Sequence, residues 1–262
     1  MSAATEPATP APGAPAAVRD DLAEAAEAAE RVLRTAAELD PDGLAGPSLL
    51  PGWTRGHVLA HLARNADSLV NLLTGAREGR DIPAYADGDA RERGIREGAG
   101  RPLDEQLADL AAAQERFAEA AASLPDEAWS SRVRHRSGYL FPASEIPAKR
   151  LQELEYHHVD LGAGYTPAHW TADFAARELE RLAARYRGEE GVPAVRLLTE
   201  GGENGLRIGA AGGEPELTVE GPVRGLVAWL SGRSDGDGLQ VHRGDDPLAD
   251  PRTALPELPP MA

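Results

Sequence analysis

A change of rhythm near residue 163 divides this sequence and narrows what it can fold into. Before it, four stretches repeat apolar residues at helical spacing: "VRDDLAEAAEAAERVLRTAAEL", "GWTRGHVLAHLARNADSLVNLLTGAREG", "PLDEQLADLAAAQERFAEAAASLP" and a segment from Ser144 to Gly162. Thr54 suits the N-cap of the second, Gly75 or Gly79 its end, and Pro125 stops the third. The fourth is expected to open at Ser144, with a proline in its first turn. After "GAGYTPAHW" comes one more helical run, from Thr171 to about Arg187. The strand-like pieces "AVRLLT", "LRIGA" and "ELTVEG" follow, then a helix in "PVRGLVAWLSG" and a last strand in "LQVH".

The expected architecture is α+β: an antiparallel four-helix bundle, then a smaller α+β domain. The sequence divides into a disordered tail over 1–18, the bundle over 19–166, the second domain over 167–246 and a Pro-rich tail over 247–262. The segments 76–101 and 125–143 read as long connections within the bundle. Neither tail is expected to contribute to catalysis.

The chain has no cysteine, which removes disulfides, thiolate metal sites and any protein thiol nucleophile. Its formal net charge of −16 argues against partnership with nucleic acid or anionic membranes, which need a basic surface. The N-terminus lacks a basic region followed by an unbroken apolar run, and no segment reaches the roughly 20 apolar residues of a membrane span. The expectation is a cytoplasmic monomer.

Chemistry is concentrated in "RLQELEYHHVDLG", residues 150–162. Glu153 and His157 are four apart and share a helix face, a spacing at which both can bind one divalent ion. The pair alone is weak evidence, because a solvated acidic face produces it as easily. His61 strengthens it: on the second helix it shares the inward face with Val58, Leu62, Asn65, Leu69 and Leu72. A lone core histidine is ordinarily just hydrogen-bonded, but two helices each offering such groups to one interior favour a metal site. His57 forms an HxxxH pair with His61, yet "HVLAH" lacks the glutamate of a metalloprotease motif, and His57 falls at the helix mouth. His158 is turned about 100° from His157. Asp160 is placed to hold the free ring nitrogen of His157. Two nitrogens and one oxygen describe a catalytic zinc site with an open position, although iron or nickel also suits these donors.

The segments "SLLPGWTRGHVLAHLARNADSLVNLL", "IPAYADGDARERGIREGAGRP" and "PASEIPAKRLQELEYHHVDLG" resemble, in that order, the mycothiol-dependent maleylpyruvate isomerase family. The resemblance spans residues 20–243 and implies a DinB-like bundle followed by a small α+β domain. It also implies zinc ligation by His61, Glu153 and His157. A functional arginine of the family's second domain falls on Arg233, in "AWLSGRSDGDG"; without the resemblance Arg233 is simply an exposed residue beyond a glycine cap.

The implied reaction is cis-to-trans isomerisation of maleylpyruvate to fumarylpyruvate, in the gentisate route of aromatic breakdown. A conjugated C=C rotates only once its double-bond character is removed, and reversible addition of a thiolate does this. This chain has no thiol to offer; the family takes it from mycothiol, with the sulfur on the metal. The dicarboxylate substrate calls for arginine, supplied by Arg233 and by Arg55, Arg64 or Arg150. Two alternatives are another mycothiol-dependent S-transfer on the same scaffold, and a non-catalytic zinc or thiol-ligand binding protein.

Overall fold

The computed structural model describes residues 14–200, 202, 205–212, 214–244 and 246–260; the first thirteen residues of the expected N-terminal tail lie outside these. The chain forms two compact units, Met1–Tyr165 and Thr166–Ala262.

The first unit contains α1 (Ala16–Ala37), α2 (Pro41–Ala45), α3 (Arg55–Glu78), α4 (Ala90–Ala99) and α5 (Leu103–Ala122). A short hairpin of β1 (Arg132–Arg134) and β2 (Leu140–Pro142) follows, then α6 (Ile146–Asp160). The four long helices close a ring, with α1 packed on α5 and α6, and α3 packed on the same two. Leu62, Leu73, Leu110, Phe117 and Leu154 are among its fully buried side chains. Each is worth about 1.5–3 kcal/mol of transfer from water. On α1 the inward face is mostly alanine (Ala25, Ala28, Ala29 and Ala36, with Val32), which lets the neighbouring helices come close.

Three local readings need correction. Helix α1 opens at Ala16, within the segment expected to be tail, and Ala14 and Val18 are already buried. Ser144 does not cap α6; a 3-10 turn over Ala143–Glu145 leads into the helix instead, with Pro147 in its first turn. The connection over 76–101 contains a helix, α4, lying against α3. The two helices come closest at glycines. A Cβ added at Gly98 would sit 2.8 Å from the Cβ of Ala60, and one at Gly56 would sit 2.5 Å from the carbonyl oxygen of Ala99. Only glycine fits at either place.

In the second unit, α7 (Ala172–Tyr186) is capped by the Thr171 hydroxyl, which accepts from the Phe174 N–H. The strands β3 (Val195–Thr199), β4 (Leu206–Ile208) and β5 (Leu217–Gly221) precede α8 (Val223–Leu230). Then come β6 (Gln240–Arg243), β7 (Asp246–Pro247) and α9 (Pro251–Ala254). The sheet order is β4-β3-β5-β6-β7, and β3 and β5 are its one parallel pair. Helices α7 and α8 pack on each other, α7 against β4 and α8 against β3 and β5. Of the segment 247–262, expected to be an irregular tail, the described part starts in strand β7 and continues as packed chain. No helix among the described residues is long and apolar enough to cross a membrane.

Candidate metal and catalytic site

Helix α6 carries titratable groups on several faces because each face meets a different neighbour. Glu155, 1% exposed, accepts from Arg31 of α1 at 2.7 Å and from the Tyr165 hydroxyl at 2.6 Å. His158 also faces α1: its Nε2 lies 2.8 Å from the Thr35 hydroxyl, and its ring stacks on Tyr165 at 3.7 Å. These contacts fasten α6 to α1 with paired groups, so the buried charge does not stand alone.

The face turned to α3 is different. His61 Nε2 lies 2.8 Å from Glu153 Oε2, and His157 Nε2 lies 3.3 Å from the same oxygen. The two imidazoles meet edge to face at 4.5 Å. One ligand atom from each of His61, Glu153 and His157 falls within 4.8 Å of the others, the one such group of three found among the described residues. The His61 side chain is 5% exposed and that of His157 15%, whereas Glu153 keeps 34%, so the cluster is open on the carboxylate side.

Its electrostatics follow from this packing. Burial, with the neighbouring charges of His157 and Arg91, pulls the His61 imidazole down to about 4 against the hold of Glu153. Burial alone would raise the Glu153 carboxyl, but hydrogen bonds from His157 and His61 keep it well below the usual carboxylate range. Burial likewise acts to lower His157, and is outweighed by Asp160 and Glu153, which raise it. Asp160 Oδ2 is 2.8 Å from His157 Nδ1, close but off the line of a straight hydrogen bond. A carboxylate behind one ring nitrogen, with the other aimed at the cluster, is the arrangement that orients metal-ligating histidines.

Two further side chains flank His61. Trp53 sets its ring edge-on at 5.6 Å. Arg91, from α4, places a guanidinium nitrogen 3.4 Å from His61 Nδ1 and its carbon 6.0 Å over the Trp53 ring. Guanidinium only donates, so here Nδ1 is the acceptor and Nε2 carries the proton toward Glu153.

The sequence reading missed Arg91, which pairs with Glu92 and also brings positive charge to the cluster. The arginines named in its place are committed elsewhere. Arg55 binds the backbone oxygens of Gly43, Leu161 and Gly162. Arg64 pairs with Asp109 at 2.7 Å and Asp67 at 3.0 Å. Arg150 is wholly buried. It donates to Leu62 O and Asn65 Oδ1, both at 2.9 Å, and to Gln114 Oε1 at 3.1 Å, and burial pulls it down to about 10. It clamps α6 to α3 and α5 one turn from Glu153, with its Nη2 buried and without a hydrogen-bond partner.

His57 closes the capping box of α3, its Nδ1 lying 2.7 Å from the Thr54 hydroxyl. His135 stacks on Tyr139 in the β1–β2 hairpin, His169 caps a 3-10 turn with Thr166, and His242 lies on β6. Arg233 belongs to the second unit. Just beyond α8, its backbone N–H donates to Ala228 O at 2.7 Å and its guanidinium to Ser231 O at 2.6 Å.

The donor chemistry fits a divalent ion. Two imidazole nitrogens and a carboxylate oxygen, all able to bind when deprotonated, converge from two facing helices with an opening at their side. Fold and cluster together define a class of α+β proteins whose helical bundle carries a two-histidine, one-carboxylate centre. Residues 25–162 match the model of the mycothiol maleylpyruvate isomerase N-terminal domain, and residues 169–251 match that of the corresponding C-terminal domain. The chain therefore belongs to the mycothiol maleylpyruvate isomerase family, a family of enzymes. Two solved structures agree: a crystal structure of the mycothiol-dependent maleylpyruvate isomerase and one of a histidine-to-alanine mutant of it. Each is 29% identical to this chain, with a TM-score of 0.78 over 88% of this chain and 96% of that one. No curated protein sequence matches the chain.

Proposed function

We propose that this protein is a cytoplasmic, zinc- and mycothiol-dependent isomerase that converts maleylpyruvate to fumarylpyruvate. The observation that carries the proposal is the convergence of His61, Glu153 and His157 to within 4.8 Å in a chain that has no thiol of its own. In this reading those three residues hold the ion, and the family resemblance supplies thiol and substrate. The chemistry provided by a bound divalent ion and a small thiol is a deprotonated sulfur near neutral pH, capable of reversible addition to a conjugated alkene.

The remaining work falls to the chain. Asp160 fixes the ring of His157, so that its Nε2 stays directed at the cluster. Trp53 walls one side of His61 and limits water there. Arg91 provides positive charge beside the cluster, where a substrate carboxylate or the enolate charge formed by thiolate addition is stabilised. Arg233 is proposed to grip the substrate's carboxylate as a second cation.

The test is turnover of maleylpyruvate, followed with and without mycothiol and before and after stringent chelation. Activity that needs both thiol and metal, and returns when zinc is added back, is the expected result. Full activity after chelation overturns the metal assignment, and thiol-conjugate formation without isomerisation overturns the reaction.

A further inference from the structure

The loop that carries Arg233, "SGRSDGDG" (231–238), has little stiffness of its own. Gly232, Gly236 and Gly238 all have positive φ (76°, 92° and 78°), and ordering such a residue costs more than ordering any other. Short-range contacts hold part of it: Gly232 N–H donates to Trp229 O, Arg233 N–H to Ala228 O, and Gly236 N–H to the Ser234 hydroxyl.

The far side of the loop is covered by the C-terminal segment. Leu255 lies directly on Gly236; a Cβ there would stand 2.1 Å from its Cδ1 and push that side chain aside, while the positive φ itself favours glycine. Arg252 reaches two of the loop's carboxylates, Asp237 at 3.0 Å and Asp235 at 3.5 Å. Farther along, the buried Tyr186 hydroxyl lies 3.2 Å from both Leu230 O and Pro259 O, sharing its proton between the end of α8 and the segment. Arg185 donates to Pro260 O at 3.2 Å. The segment is thus held at both ends, and the family match stops at residue 251, before all of these contacts.

We infer that residues 252–260 are a positioning strap that immobilises the 231–238 loop and thereby presents Arg233. Its catalytic consequence rests on the role proposed for Arg233; its structural claim does not. Prolines suit a strap, because their fixed φ leaves less freedom to lose on docking. The exposed Arg252 pairs add little, so Leu255 and the Tyr186 bridge provide most of the hold.

The test uses the full chain carrying Leu255→Ala and Arg252→Ala together, with a chain ending at Leu248 as the second variant. Hydrogen exchange should speed up at the amides of 231–238 while that of α3 and α6, and the metal content, stay as in the parent. Turnover should fall about tenfold, the equivalent of about 1.4 kcal/mol lost from transition-state binding. Unchanged exchange in the loop of either variant overturns the strap. Combining the substitutions with Arg233→Ala keeps the two readings apart, since a strap acting through Arg233 costs nothing further in that background. If Arg233→Ala alone leaves turnover intact, the role of Arg233 falls, and loop exchange still decides the strap.

Discussion

The two units place candidate functional groups in opposite ways. In the first, His61, Glu153 and His157 sit within regular helices, and the packing of α3 on α6 sets their distances. In the second, Arg233 sits on a glycine-rich turn whose shape depends on a separate piece of chain folding over it. Helical geometry converts spacing into position, so a group four residues from another is already aimed. A loop converts spacing into nothing until something else packs on it.

That contrast can be broken or sharpened by experiment. Glu153→Ala removes the oxygen that both histidines face, and should abolish metal binding and turnover together. The loss of affinity, measured by chelator competition, should exceed the roughly 100-fold that a supporting group outside the ligand set is worth. Retained stoichiometric metal would mean that the donor set lies elsewhere. Asp160→Asn keeps the shape but removes the charge beside His157 Nδ1. Metal affinity should drop about 10- to 100-fold, and the ligand-field spectrum of a cobalt-loaded sample should shift; an unchanged spectrum would reduce Asp160 to packing. Smallest is Arg150→Met, which frees α6 from its clamp and strands Asn65 Oδ1 and Gln114 Oε1. With relief from burying a charge acting the other way, a net loss of about 1–3 kcal/mol in unfolding by denaturant is expected. No loss would show the helix seam to be set by its apolar residues alone.

Legibility in the sequence tracked the same divide. The four bundle helices and the candidate cluster could be read because apolar stripes and the Glu153–His157 interval are periodic signals. Helix α4 could not, because it meets α3 through Gly98 and Gly56 and buries one apolar side chain, Ile95, so it writes no stripe. Arg91 was lost with it. The only available hint was the four-residue spacing of Gly94 and Gly98, which alone says little. The bundle partners of Arg55, Arg64 and Arg150 were hidden for a related reason. A buried Arg150 serving backbone and amide oxygens looks, in sequence, the same as one waiting for a carboxylate. In the C-terminal segment, prolines suggested irregular chain; irregular it largely is, but Leu255 and Pro259 have partners that lie far away in sequence.

The separation of the donors along the chain has a mechanical side. Glu153 follows His61 by 92 residues, and His157 is farther still. A cation gripped by all three closes a long loop of the first unit, and clips across long loops withdraw the most freedom from an unfolded chain. Such an ion is a rivet as well as a reagent. Metal starvation would then loosen the bundle while the unit holding Arg233 keeps its own melting behaviour, and the enzyme would fail by softening in its first unit alone.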